Sequence, residues 1–150
     1  MWQSSLQLLP IIRGIRVQNE CMTVVGLVLA GLAALLHVYI FYMESIAWTT
    51  PRVRAVFRTS EDEARVTKQL AFNQGFYNLF LAVVVLLGIL LLPLGYSVVG
   101  LALVFVGTGS MLAAALVLLL SSPDKRRAAI TQGTMPALAI VALVIGLFIS

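Results

Sequence analysis

The stretch KQLAFNQGFYNLFLAVVVLLGIL, residues 68–90, decides how the chain must fold. Its second half is almost wholly apolar, and the segment is long enough to cross a bilayer, which takes roughly 20 residues over about 30 Å of hydrocarbon. Its first half is different. Asn73, Gln74, Tyr77 and Asn78 stand where a plain lipid-facing span carries Leu or Val. Side-chain amides are costly in hydrocarbon unless they find partners, so these groups need an interior to face. On a helix they fall within an arc of about 140°, and Leu70 and Leu81 extend the same stripe. The stripe is therefore expected to look inward, into a bundle.

The rest of the chain supplies that bundle. Apolar residues make up 61% of the 150 positions and charged residues only 11%. With a mean hydropathy of +1.02, this balance excludes a soluble globular domain. Four stretches are long and apolar enough to span, at about 23–43, 70–92, 97–120 and 128–149. The expected fold is all-α, a four-transmembrane-helix bundle forming one domain over residues 22–150. Residues 1–21, MWQSSLQLLPIIRGIRVQNEC, are interrupted by Pro10 and Gly14 and lack the small-residue cleavage pattern of a secretory signal. They are expected to be an interfacial segment or an extension without a role of its own.

Charge placement gives the expected orientation. The loop after the first span carries Arg52, Arg54, Arg58, Arg65 and Lys68, and the loop after the third carries Lys125, Arg126 and Arg127. Positive charge collects on the cytoplasmic side, so these loops are expected there, with both termini outside a bacterial inner membrane. Arg13 and Arg16 vote the other way but are outnumbered. The net charge of +4 is not interleaved with aromatics, so no nucleic-acid partner is expected. Membrane lipids are expected partners, and a homo-oligomer stays open. The single cysteine, Cys21, excludes an internal disulfide and a thiolate metal cluster.

Local signals refine the picture. Ser60-Glu61-Asp62-Glu63 reads as a capping box, so helix two is expected to start near Glu61 and run unbroken to about Leu92, its first turns extended into the cytoplasm. Ser122-Pro123 reads as the cap and first position of helix four, and Pro136 should disturb that helix from within. Gly26, Ala30 and Ala34 form a small-residue ladder for close helix packing, and Gly100, Gly107, Thr108, Gly109 and Ala113–Ala115 suit helix three to the same purpose.

Other polar residues converge on the stripe of helix two. His37, Glu44 and Trp48 lie within about 40° of one another if helix one persists that far. Gln132 enters from helix four at the same side. A polar, cytoplasm-facing cavity is thus expected, lined by His37, Glu44, Trp48, Asn73, Gln74, Tyr77, Asn78 and Gln132. Taken singly these residues have plain structural uses: a satisfied core histidine, an interfacial acid, an aromatic anchor, interhelical amides. Their convergence favours a site for a small amphipathic or lipid-like ligand. The chemistry open to it is acid or base work by Glu44 or His37, with Tyr77 as a donor. One histidine and no second inward carboxylate make a metal site unexpected, and the sequence leaves any cofactor unknown. A membrane enzyme of transferase or isomerase type, and an accessory subunit that uses the cluster only for helix pairing, stay open as alternatives.

With these residues in view, the chain resembles a family of small four-helix bacterial membrane proteins known as domain of unknown function 1304. The likeness rests on HVYIFYMESIAWTTPRVRAVF (residues 37–57), KQLAFNQGFYNLFLA (68–82) and TQGTMPAL (131–138), and covers roughly Met22 to Ser150. It implies an integral membrane protein whose signature residues are those expected to face inward, and it implies no activity. A weaker likeness links EARVTKQLAFNQGFYNLF to the membrane-associated proteins of eicosanoid and glutathione metabolism, through Glu63, Arg65 and Asn73. That likeness implies trimers and a thiol-conjugating activity, but the acidic pair that follows Asn in those proteins is replaced by Gln74 and Gly75. Sterol isomerases of the emopamil-binding type build cavities from the same residue types, without a shared motif.

Overall fold

In a computed structural model, the backbone is described over residues 3–148 and side chains over 17–147. Helix α1 covers Gln3–Phe41 and passes into a π-helical turn, Tyr42–Ile46. Two short helices follow, α2 (Pro51–Phe57) and α3 (Glu61–Val66). The remaining long helices are α4 (Lys68–Leu91), α5 (Ser97–Ser121) and α6 (Arg126–Phe148), the last entered through a 3-10 turn at Pro123–Lys125. Four helices are long and apolar enough to cross a membrane, within Val17–Ile46, Lys68–Leu91, Ser97–Ser121 and Pro123–Leu147. The expected all-α four-helix bundle is the fold, and the chain is an integral membrane protein.

α1 packs on α4 and α6, and α5 packs on the same two, so the helices stand in a square with α1 and α5 on a diagonal. Small residues set their spacing. A Cβ on Gly26 would lie 2.9 Å from the Leu143 backbone nitrogen, and one on Gly146 would lie 2.7 Å from that of Thr23. α1 and α6 therefore run antiparallel at near backbone contact. Gly88 on α4 meets Gly100 on α5 in the same way, with a Cβ at Gly88 falling 2.7 Å from the Gly100 carbonyl oxygen. In lipid there is little hydrophobic gain from pairing helices, so close van der Waals contact must hold them, and small residues permit it. The Gly26, Ala30, Ala34 ladder is buried as expected, with Ala33 beside it. On α5, Gly100, Gly107, Thr108 and Ala115 are buried, whereas Ala113 and Ala114 are exposed and Gly109 meets nothing within 4 Å.

Several expectations need correction. Helix two does not run unbroken from Glu61: it stops at Val66 and restarts at Lys68. Thr67 sits between at φ −89°, ψ 2°, with its hydroxyl donating to the Glu63 carbonyl at 2.6 Å. That bond, and the Trp48 Nε1–H that donates to the same hydroxyl oxygen at 3.2 Å, tie the break to the segment just after the π-helical turn. Helix four does not begin with a Ser122 side-chain cap; Pro123 opens a 3-10 turn and Ser122 makes no capping hydrogen bond. The loop after the first span contains α2, announced by Thr50-Pro51: Thr50 Oγ1 accepts from the Val53 amide and Pro51 occupies the first helical position. α1 continues without a break through Cys21–Met22, the expected domain boundary. The role expected of residues 1–21 falls mostly on side chains outside the described residues, as does the expected span end at residue 149.

The capping box forms as read. The Ser60 amide donates to Glu63 Oε2 at 2.9 Å, and the Glu63 amide donates to Ser60 Oγ at 3.2 Å. The Ser60 amide first, and the Ser60 hydroxyl second, hold the Glu63 carboxyl below its ordinary pKa. A lowered folded-state pKa contributes stability that is complete above the unfolded carboxyl value and is lost as pH falls through the lowered one. Ser60→Ala is expected to speed amide exchange at Glu63 by about fivefold, the equivalent of one lost cap. Acid titration of the Glu63 carboxyl resonance should open the same turn; equal exchange in the variant and the parent would contradict this.

Candidate functional site

At the charged end of the bundle, a cleft of about 750 Å³ opens between the ends of α1, α4, α5 and α6, with α2 along one side. Its apolar walls are Leu36, Ile40, Met43, Leu81 and Leu118. Glu44, Gln74, Tyr77, Asn78, Thr131 and Gln132 bring polar atoms to it, and Trp48 and Phe57 close the α2 side. These two rings pack with centroids 5.1 Å apart.

The pivotal contact joins the two polar stripes. Asn78 Nδ2 donates to Glu44 Oε2 at 2.9 Å and to the Gln74 carbonyl at 3.1 Å. Both hydrogens of the amide are thereby used, and Asn78 Oδ1 remains as an acceptor. Glu44 is brought there by the π-turn, closed by the Ala47 amide donating to the Tyr42 carbonyl at 3.0 Å. A π-turn inserts an extra residue into the helical repeat, so Glu44 and Trp48 leave the face that His37 occupies. The next residue, Ser45, fixes the turn against α4 by donating to the Phe72 carbonyl at 2.8 Å. Gly75 makes that approach feasible: a Cβ there would lie 3.0 Å from the Ser45 nitrogen and 3.1 Å from the Phe41 oxygen.

Six of the eight expected residues border the cleft: Glu44, Trp48, Gln74, Tyr77, Asn78 and Gln132. Two do not. His37 is fully buried in the core beneath it. Its Nδ1–H donates to the Ala33 carbonyl at 2.8 Å, which leaves Nε2 as an acceptor with no partner. Asn73 is exposed on the outer side of α4. The face that α4 buries is instead its line of small residues, Ala71, Gly75, Ala82, Val85 and Gly88. The polar stripe flanks this line, which is why Tyr77 keeps 66% of its surface exposed while bordering the cleft. Pro136 is buried within α6 and has no amide hydrogen for the Gln132 carbonyl, so an acceptor is freed at the level where Gln132 meets the cleft.

Residues missed from the sequence come chiefly from α2 and the start of α6. Ala55, Val56 and Arg58 line the cleft because Thr50-Pro51 starts a helix, and that pair was the available signal. Lys125 and Arg127 line it from the start of α6.

The model of a family described as protein of unknown function (DUF1304) matches residues 31–144, most of the chain, and this span includes every side chain named at the cleft. The chain belongs to this family. No curated protein and no solved structure matches it. The Glu44–Asn78 contact thus sits wholly inside the family's span, whereas the helical segment before residue 31 lies outside it.

His37 is a test of what the core needs. His37→Leu exchanges one hydrogen bond and one unpaired acceptor for apolar packing, and is expected to change stability by less than about 1.5 kcal/mol. His37→Ala leaves a void and is expected to cost about 2 kcal/mol or more. Thermal unfolding in detergent distinguishes the two; equal losses would show that the imidazole itself is required.

Proposed function

We propose that this protein binds a small amphipathic or lipid-like molecule in the cleft at its charged end. The polar part of the ligand lies beside Glu44, Asn78 and Gln132, and the apolar part runs along Leu36, Ile40 and Leu81. The single observation that supports this best is the Glu44–Asn78 hydrogen bond at 2.9 Å on the wall of a 750 Å³ cleft. A carboxylate and an amide that served only to pair helices would have little reason to border open volume of the size that ligand sites use. Positive charge on the α2–α3 and α5–α6 side supports a cleft mouth that opens to the cytoplasm.

Glu44 is also the best placed group for acid or base chemistry, since it faces the cleft and His37 does not. The transferase reading draws less support: Arg65 is paired with Glu61 at 2.6 Å, Glu63 is held in the capping box, and Asn73 lies on the outer side of α4. The test is ligand retention. Lipid extracted with the parent protein and with Glu44→Leu is compared by mass spectrometry, with a species depleted in the variant as the expected result. Identical lipid profiles for Glu44→Leu, Asn78→Leu and Gln132→Leu would remove the proposal.

A further inference from the structure

The rim of the cleft carries a second feature, distinct from its polar wall. Eight Lys and Arg side chains lie in the two charged loops, at 52, 54, 58, 65, 68 and 125–127. Arg54 and Arg65 both pair with Glu61, at 3.4 and 2.6 Å. Arg52, Lys68 and Arg126 do not border the cleft. Arg58, Lys125 and Arg127 do, coming from the end of α2 and the start of α6, and none has an ion-pair partner among the described residues. Asp124 is the one carboxylate at that rim. Glu63, kept ionised by Ser60, is close enough to feel Lys125 but does not line the cleft. The side chains that line the rim thus carry three positive charges to one negative.

Arg58 adds an independent sign. It ends α2 in the left-handed region at φ 53°, the one non-glycine residue with positive φ among those described. Glycine adopts that conformation without strain and arginine does not. The fold alone gives no reason for a long cationic side chain at this position; the cleft beside it does.

From these observations, and resting on the reading of the cleft as an amphiphile site, we infer that the ligand is a single-chain anionic lipid. Its phosphate headgroup is held at the mouth by Arg58, Lys125 and Arg127. Below it, a hydroxyl donates to Glu44, and one acyl chain follows the Leu36, Ile40 and Leu81 wall. The vertical order of groups matches a monoacyl glycerophospholipid: cationic rim, then acceptor carboxylate, then apolar wall. The volume of about 750 Å³ is that of a site for one drug-sized molecule, which suits a head and one chain.

Trp48 borders the cleft and gives the readout. In a Trp2→Phe background it is the only indole. Bromine-labelled monoacyl phosphatidylglycerol is titrated into the protein in neutral detergent, with the matched monoacyl phosphatidylcholine as the second probe. The expected result is saturable quenching by both, with half-saturation on the order of tenfold lower for the anionic probe at low salt. Arg58→Gly combined with Lys125→Gln and Arg127→Gln should bring the two probes together. That variant should not unfold, because glycine relieves the backbone at position 58. Equal half-saturation of the two probes with the parent protein overturns the anionic assignment and leaves the amphiphile reading standing. An anionic preference that survives the triple substitution overturns the placement of the headgroup. No saturable quenching by either probe removes both.

Discussion

Gly75→Val is expected to cost about 3 kcal/mol or more in reversible unfolding in mild detergent. The reason is the nature of the neighbours. At Gly107 a new Cβ would meet chiefly the Val85 side chain, with backbone atoms no closer than 3.4 Å. At Gly75 the added Cβ meets the backbone nitrogen of Ser45 at 3.0 Å and the carbonyl oxygen of Phe41 at 3.1 Å, with Ser45 Oγ closer still. None of these can retreat without moving the π-turn. The Ser45 hydroxyl would lose its bond to the Phe72 carbonyl, and Phe41 would separate from Phe76, whose rings now meet edge to face at 5.1 Å. Gly75→Ala should show the same effect at about 1–3 kcal/mol. Gly109→Ala is the control: its Cβ meets nothing within 4 Å, so the change is expected to be neutral or to stabilise by up to about 1 kcal/mol. Equal stability of Gly75→Ala and Gly109→Ala would mean that α1 and α4 do not approach as described.

Separating Glu44 from Asn78 is expected to have the largest effect on the cleft. Removing Asn78 takes away the hydrogen-bond donor of Glu44, and removing Glu44 frees one of the two Asn78 amide hydrogens, a cost of about 1–3 kcal/mol, or roughly 5–150-fold in ligand affinity where the ligand uses the same groups. Glu44→Leu and Asn78→Leu should therefore each weaken amphiphile binding strongly. The double substitution should lose less than the sum, with a coupling of about 0.5–3 kcal/mol. Glu44→Gln retains an oxygen that accepts from Asn78 Nδ2, so binding should survive within a few-fold. If the cleft also performs acid or base chemistry, turnover should vanish in Glu44→Gln while binding persists. That split separates a binding protein from an enzyme. Additive losses in the double variant would show that the two residues serve the cleft independently.

Much of this architecture was legible in residue types alone. Four apolar stretches in a chain with few charges admit little other than four helices, and the Gly26, Ala30, Ala34 ladder was readable because close packing in lipid demands small side chains. Ser60 and Glu63 announced their helix start because a capping box is local and needs no tertiary knowledge. The meeting of Glu44 with Asn78 could be anticipated as two polar stripes seeking each other. Their rotation could not. An arc of about 140° on α4 leaves open which edge turns inward, and the small residues at 71, 75, 82, 85 and 88 took the core while Asn73 was left outside. The π-turn at Tyr42–Ile46 has no side-chain signature, and it re-aims the residues that follow α1. The break at Thr67 depends on a hydroxyl shared with Trp48, 19 residues away, a relation that a helical pattern does not carry.

The most direct test is an experimental structure of the protein purified from its own membranes into lipid nanodiscs. The expected map contains elongated non-protein density in the cleft, with a polar end within hydrogen-bonding distance of Glu44 or Asn78. A cleft closed by its own side chains, or open and empty at a resolution that defines the surrounding lipids, would contradict the proposal.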